Sequence, residues 1–177
     1  KRLKKNGAFI VGICGGYQML GHAIYDPGEV ESSTQKVTGI GLLPVETTME
    51  KEKTLRQAAY RIKENAIFEA GSLARGYEIH MGKTVVKGKT IPVLDGKDAG
   101  LCLLSEDKMV MGTYIHGFFD NDTIRRAFIN YFKGKKGFPV SKDGLSYQLF
   151  REKQFDRLAR VVEENCDLKR IYGLAGL

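Results

Sequence analysis

Ala8-Phe9-Ile10-Val11-Gly12-Ile13 is a continuous apolar run, the pattern of a strand buried on both faces. It breaks at Cys14-Gly15-Gly16. Apolar residues then recur at Tyr17, Leu20 and Ile24, a helical spacing that Asp26-Pro27-Gly28 ends by turn chemistry. Leu42 to Val45, Thr54 to Ile62, Gly76 to Val86 and Met109 to Ile115 read as further strands, the last stopping at His116. Asp122 is placed to cap a helix with Ile124, Ala127, Phe128, Tyr131 and Phe132 on one face, closed by Lys133-Gly134. A last helix sets Phe155, Leu158, Ala159, Val162 and Cys166 on one stripe. Strands interleaved with amphipathic helices predict an α/β fold whose sheet is at least partly parallel. No repeat or low-complexity linker interrupts the pattern, so 1–177 reads as one domain.

The composition supports a packed core: 42% of the 177 residues are hydrophobic and 28% charged, which sets disorder and coiled coil aside. No apolar run approaches the roughly 20 residues of a membrane span, and no secretory h-region opens the chain. The cysteines Cys14, Cys102 and Cys166 form no CxxC pair and no even framework, which suits a reducing cytoplasm. A net charge of +7 permits an anionic partner. The lysines and arginines gather at Lys1–Lys5 and Lys133–Lys136 without interleaved aromatics, so they read as solvated surface, and neither a nucleic acid nor a membrane is expected as partner.

The chemistry concentrates at Gly12-Ile13-Cys14-Gly15-Gly16, where a buried strand meets a helix. Glycines two before and two after a cysteine match a nucleophile elbow, in which Cβ atoms at those positions would strike the crossing backbone. There Cys14 projects from a strand's carboxyl end, the helix N-terminus favours its thiolate, and the Gly15 N–H faces an oxyanion. A small buried cysteine in a glycine-rich turn is the alternative on this segment alone. Cys102 and Cys166 read as core. Of the histidines, His116 ends a strand, as Cys14 does, and is the candidate base. His80 alternates with Glu78 on one face of a strand, lining the same pocket or a polar edge; His22 reads as a surface or packing residue within the first helix. No Cys or His spacing suggests a metal site, and neither a Gly-x-Gly-x-x-Gly nor a P-loop is present.

Gly12-Ile13-Cys14-Gly15-Gly16-Tyr17-Gln18-Met19-Leu20-Gly21 resembles the nucleophile segment of class I (triad-type) glutamine amidotransferases, in the wording of their cobyric acid synthase branch. Asp26-Pro27 with Glu31-Ser32, Gly39 to Pro44 with Thr47, Gly76-Tyr77-Glu78-Ile79-His80-Met81-Gly82, and Gly112 to Asp120 agree with it in order. The resemblance runs from about Gly7 to the end. It implies a flavodoxin-like fold with a mostly parallel sheet, Cys14 as nucleophile toward glutamine, His116 as proton shuttle and Gly15 in the oxyanion hole. By position it places Gln18, Tyr77, Glu78 and His80 at the substrate. It further implies an N-terminal synthetase domain of the same polypeptide, using ATP and Mg²⁺ to amidate the b, d, e and g carboxylates of a corrinoid, adenosylcobyrinic acid a,c-diamide. No cofactor is expected in this chain itself.

Two features depart from the wider family. Phe118 stands where many triad enzymes carry glutamate, leaving a carbonyl or Asp120 to orient His116. The family's first strand and glycine loop, with the second oxyanion donor, are expected before Lys1; an opening without Met, on what reads as a helix tail, fits a C-terminal fragment. Other branches, feeding cobyrinic acid diamidation or peptidoglycan amidation, and a non-catalytic flavodoxin-like module remain as alternatives.

Overall fold

The structure, a computed structural model, describes residues 1–63 and 65–176. The chain forms two compact units, Lys1–Val140 and Ser141–Leu177, where the sequence pattern shows no break. The first opens on a single helical turn, α1 (Arg2–Lys5), followed by β1 (Ile10–Ile13) and the short helix α2 (Gly15–Leu20). Strands β2 (Ala23–Tyr25), β3 (Lys36–Thr38), β4 (Val45–Arg61), β5 (Leu73–Val86) and β6 (Ile91–Pro92) come next. A 3₁₀ turn (Gly96–Leu101) leads to β7 (Cys102–Leu104), β8 (Val110–Thr113) and β9 (Ile115–His116), and α3 (Asp122–Lys135) closes the unit.

Two sheets result, ordered β1-β8-β7-β6 and β3-β2-β4-β5-β9. The α/β class holds. The sheets are mixed rather than mostly parallel: β1–β8 and β2–β4 run parallel, and the other pairings are antiparallel. The physical reason lies in β4 and β5, which form one long antiparallel pair from Val45↔Val86 to Arg61↔Leu73, with a register shift between Met49 and Thr54. Consecutive strands joined by a short connection pair antiparallel, and no crossover helix intervenes among the described residues between them.

The first predicted helix stops four residues early. Gly21 must approach the Val45 carbonyl so closely that a Cβ would lie 2.6 Å from its oxygen. The chain therefore turns out at Gly21, Ile24 joins strand β2, and His22 lies exposed outside the helix. β1 is also less buried than its apolar run implies. It is an edge strand, and Val11 and Ile13 remain 37% and 43% exposed on its uncovered face. Asn121 rather than Asp122 stands at the N-cap of helix α3, which runs past Gly134 to Lys135, with Lys136 as its C-cap before Gly137 takes a positive φ.

One core cluster joins Tyr60, Ile62, Phe68, Leu94, Cys102, Met111, Ile115, Phe118 and Ile124. The other packs Tyr17 and Leu20 of α2 on Leu43, Val45, Leu103, Val110 and Tyr114. Cys102 is fully buried as expected, and burial pushes its thiol up to about 12. Gly112 is where β8 admits the Tyr17 ring: a Cβ there would fall within the ring's own contact shell. Gly112→Ala is therefore expected to overpack this cluster by about 2–3 kcal/mol. The check is the urea midpoint at unchanged m-value; an unshifted midpoint would mean Tyr17 has room to move.

The second unit consists of α4 (Tyr147–Asn165) and α5 (Leu168–Ala175). Each is capped by an acceptor side chain, Ser146 Oγ from the Leu149 N–H and Asp167 Oδ1 from the Arg170 N–H. Cys166 was expected in the core and is instead exposed, as are Phe155, Leu158 and Val162 of the same stripe. Helical spacing sets a face; it does not supply the surface that would bury it.

Candidate active site

The end of β1 carries the strongest local signal. Cys14 is the N-cap of α2 with φ 53° and ψ −116°, one of three non-glycine residues with positive φ among the described residues. This costs on the order of 1–3 kcal/mol and persists only where the surroundings impose it. Here the imposition is visible. A Cβ on Gly12 would lie 2.6 Å from the Gly16 carbonyl oxygen, so strand and helix cross at backbone contact. Gly15 and Gly16 have open space around their own Cβ positions. The glycine two before Cys14 is thus required sterically, whereas the one two after serves as the surface that Gly12 meets.

The Cys14 thiol donates to the Ile79 carbonyl of β5 at 3.2 Å. It opens into a cavity of about 460 Å³ shared by Gly15, Gln18, Asp26, Glu31, Ser32, Lys53 and His80, among others. Gly15 begins α2, so its N–H is among the first-turn donors that the helix itself leaves unpaired. Gln18 is 8% exposed and packs under Gly82, whose missing Cβ leaves space for the Gln18 amide. Beneath it Tyr114 Oη, Thr84 Oγ1 and Thr47 Oγ1 form a chain at 2.6 and 2.7 Å.

His116 reaches this region by register. Ile13 pairs with Thr113 and the Cys14 N–H donates to the Thr113 carbonyl, so β1 and β8 end together. The chain then crosses at Tyr114 into the second sheet, where His116 pairs with Tyr77 and stacks on its ring at 5.1 Å. Cys14 and His116 therefore flank the same strand, one at Ile79 and the other two residues away at Tyr77. They are not hydrogen-bonded: the thiol is held by Ile79, and His116 Nε2 is buried without a partner. Asp120 is exposed and makes no ion pair with His116.

Of the other residues predicted for the site, Gln18 and His80 line the cavity with Cys14. Tyr77 and Glu78 are not among its lining residues. Tyr77 is the stacking partner of His116, and Glu78, 1% exposed, is bonded to Arg56 of β4. Arg56 also reaches Asp98 at 3.1 Å, and its pairing with Glu78 raises its pKa further. Arg56 went unnoticed in the sequence because one arginine in a polar strand carries no signal.

Asp26 shapes the opposite wall. Its carboxylate accepts from the backbone N–H groups of Val30, Glu31 and Ser32 at 2.7, 2.8 and 3.0 Å. Those bonds, to Glu31 and Val30 foremost, hold its pKa below the usual 3.8. A lowered carboxylate pKa contributes stability above 3.8 that is lost as pH falls through the folded value. The thermal midpoint gap between wild type and Asp26→Asn should accordingly be full at neutral pH and close below about pH 3.8. A gap independent of pH would mean the charge plays no part. Among the described residues no group of three or more His, Cys, Asp or Glu gathers as a metal site would require, and no helix is long and apolar enough to cross a membrane.

Comparison with known proteins places this geometry among relatives. Residues 1–124 match the family described as the CobB/CobQ-like glutamine amidotransferase domain. A cobyric acid synthase from Caldanaerobacter subterraneus is 41% identical over 187 residues, covering 96% of this chain and 36% of that protein. One from Syntrophobacter fumaroxidans is 40% identical, covering 98% and 36%, and one from Clostridium botulinum 40%, covering 100% and 36%. The chain thus spans about a third of the length of these curated relatives. Among solved structures, a chain of PurLQS from Thermotoga maritima has a similar fold, with a TM-score of 0.54 at 19% identity over 75% of this chain and 66% of that one.

Proposed function

The chain belongs to the CobB/CobQ-like glutamine amidotransferase family, and from that premise we propose that it is the ammonia-producing glutaminase domain of a cobyric acid synthase. The observation that carries the catalytic part is the forced backbone of Cys14 at the mouth of a cavity. His116 takes the proton of the Cys14 thiol, the thiolate attacks the carboxamide carbon of glutamine, and the oxyanion is received by the Gly15 N–H. His116 protonates the departing nitrogen, which leaves as ammonia, and then takes a proton from the water that hydrolyses the thioester to glutamate. Gln18 and His80 form the wall along the substrate. Tyr77 holds the His116 ring by stacking, and Glu78 supports the wall from behind. The flavodoxin-like arrangement of the family is part of this reading.

The branch rests on identity near 40% to cobyric acid synthases over nearly the whole chain. Ammonia then passes to an N-terminal synthetase domain of the same polypeptide, which spends ATP with Mg²⁺ on the b, d, e and g carboxylates of adenosylcobyrinic acid a,c-diamide in the cytoplasm. Two measurements test the proposal. A glutamine-analogue electrophile should label Cys14 and be blocked by glutamine; an unreactive Cys14 would leave a non-catalytic module. Glutamine-dependent amidation by the whole polypeptide should require that corrinoid; turnover with cobyrinic acid or a peptidoglycan precursor instead would move the chain to a sister branch.

A further inference from the structure

Strand β5 carries a buried acid and a half-buried imidazole on one face, and each has a buried atom that nothing satisfies. Glu78 is 1% exposed and the His80 side chain 12%. Glu78 Oε2 accepts from Arg56 Nε, while Oε1 is buried without a hydrogen-bond partner. On His80, Nδ1 lies 2.8 Å from the Gly82 carbonyl oxygen. A carbonyl only accepts, so Nδ1 carries the hydrogen, and a neutral ring leaves Nε2 as a bare lone pair. That Nε2 is buried and without a partner too, and Glu78 Oε1 is 4.0 Å away. Two acceptors thus face each other across a gap with no donor between them. One proton on Nε2 and a closing of about 1 Å would satisfy both.

We infer that Glu78 and His80 share a proton taken up from solvent, which makes His80 an imidazolium in the wall of the Cys14 cavity. The ring is stacked on Tyr114 at 4.0 Å and cannot turn away, and it lines the same cavity as the thiol. The residue before it, Ile79, is the one whose carbonyl holds the Cys14 Sγ. Both ring N–H groups are taken, by Gly82 and by Glu78, so His80 does not ferry protons. It acts on Cys14 through charge, favouring the thiolate, and transfer is left to His116. The groups facing the pair are Arg56 and Tyr60 from β4 and Asp98 from the 3₁₀ turn; on the cavity side they are Tyr114 and Gln18, with Lys53, whose charge opposes the imidazolium, and Asp26 and Glu31, whose charges favour it. Arg56 engages only the far oxygen of Glu78, which leaves Oε1 for His80.

Glu78→Gln separates this role from a structural one. Its carboxamide keeps the shape and offers an N–H to a neutral His80, so a purely structural pair would be satisfied as well or better. The shared proton predicts instead that alkylation of Cys14 by iodoacetamide at pH 7 slows about tenfold and recovers at higher pH, with the thermal midpoint kept. His80→Gln should slow it in the same direction. Nitrogen NMR of wild-type His80 in the whole polypeptide should show both ring nitrogens protonated at pH 7, and Glu78→Gln should return one to the unprotonated state. A neutral His80 in the wild type, or alkylation unchanged in Glu78→Gln, overturns the inference. The effect on Cys14 rests on its being the nucleophile proposed above, but the shared proton does not. Were Cys14→Ala to retain glutamine hydrolysis, the nucleophile would fall while the NMR result stood. Should Glu78→Gln fail to fold, the wild-type spectrum still decides.

Discussion

Cys14→Ser, in the whole polypeptide, is expected to abolish glutamine-dependent amidation while amidation from added ammonium persists. A serine hydroxyl fits the same turn but is far less acidic than a thiol, so a histidine base that can take the thiol proton does not make an equivalent nucleophile of it. The loss should reach roughly 10⁴-fold or more, the scale seen when a covalent nucleophile is removed. The ammonium arm is the informative control. It bypasses thioester formation, so it survives if Cys14 serves glutamine hydrolysis alone. Loss of both arms in a folded variant would point to a wider role. The same residue allows an independent check of strain. Cys14→Gly relieves a φ of 53° that only glycine adopts freely, and it should stabilise the fold by about 1 kcal/mol even as activity vanishes. A gain in stability with a loss of function is the mark of a backbone held for chemistry.

How much of this was legible beforehand differs by residue. The elbow was readable because its requirement is local: Gly12 must be glycine wherever the strand and helix cross at backbone distance. Cys102 was readable for a similar reason, an apolar strand being buried on either face. The sheet direction was not. Val45–Arg61 is a long, largely exposed strand rich in Lys, Glu and Thr, and its pairing with Leu73–Val86 is set by a connection rather than by an apolar period. The premature end of α2 depends on Gly21 touching Val45, a contact more than twenty residues away that no helical spacing encodes. In the site, Cys14, Gln18 and His80 line one cavity, and Gln18 and His80 were named by the family resemblance rather than by any spacing along the chain. Glu78 turned out to face Arg56, and alternation along β5 gave its face without its partner. The stripe that includes Cys166 shows the same limit, with periodicity right and burial absent.

His116→Asn is expected to lower glutaminase turnover by about 10²–10⁴-fold with little change in KM, because a positioned base acts on the transition state rather than on ground-state binding. The position of the ring argues for the role. β9 is only two residues long, yet it is anchored by pairing with Tyr77 and Glu78, and the imidazole is fixed by stacking on Tyr77. Gly76 has no Cβ because the His116 carbonyl occupies that space, so the strand bearing the base lies as close to β5 as backbone permits. The His116 Nε2 is buried without a hydrogen-bond partner, a valence that folded proteins seldom leave unused without a reason. The thiol sits two residues along the same strand, on the Ile79 carbonyl, and that bond must break before sulfur meets nitrogen. Tyr77→Ala, which removes the stacking surface but neither reacting group, should cost less, about tenfold, by letting the ring wander. Rates for the two variants, measured as glutamate release in the whole polypeptide, order the roles. Turnover of His116→Asn at the wild-type level would assign the proton transfer to another group, and a Tyr77→Ala loss as large as that of His116→Asn would mean the stack does more than hold the ring.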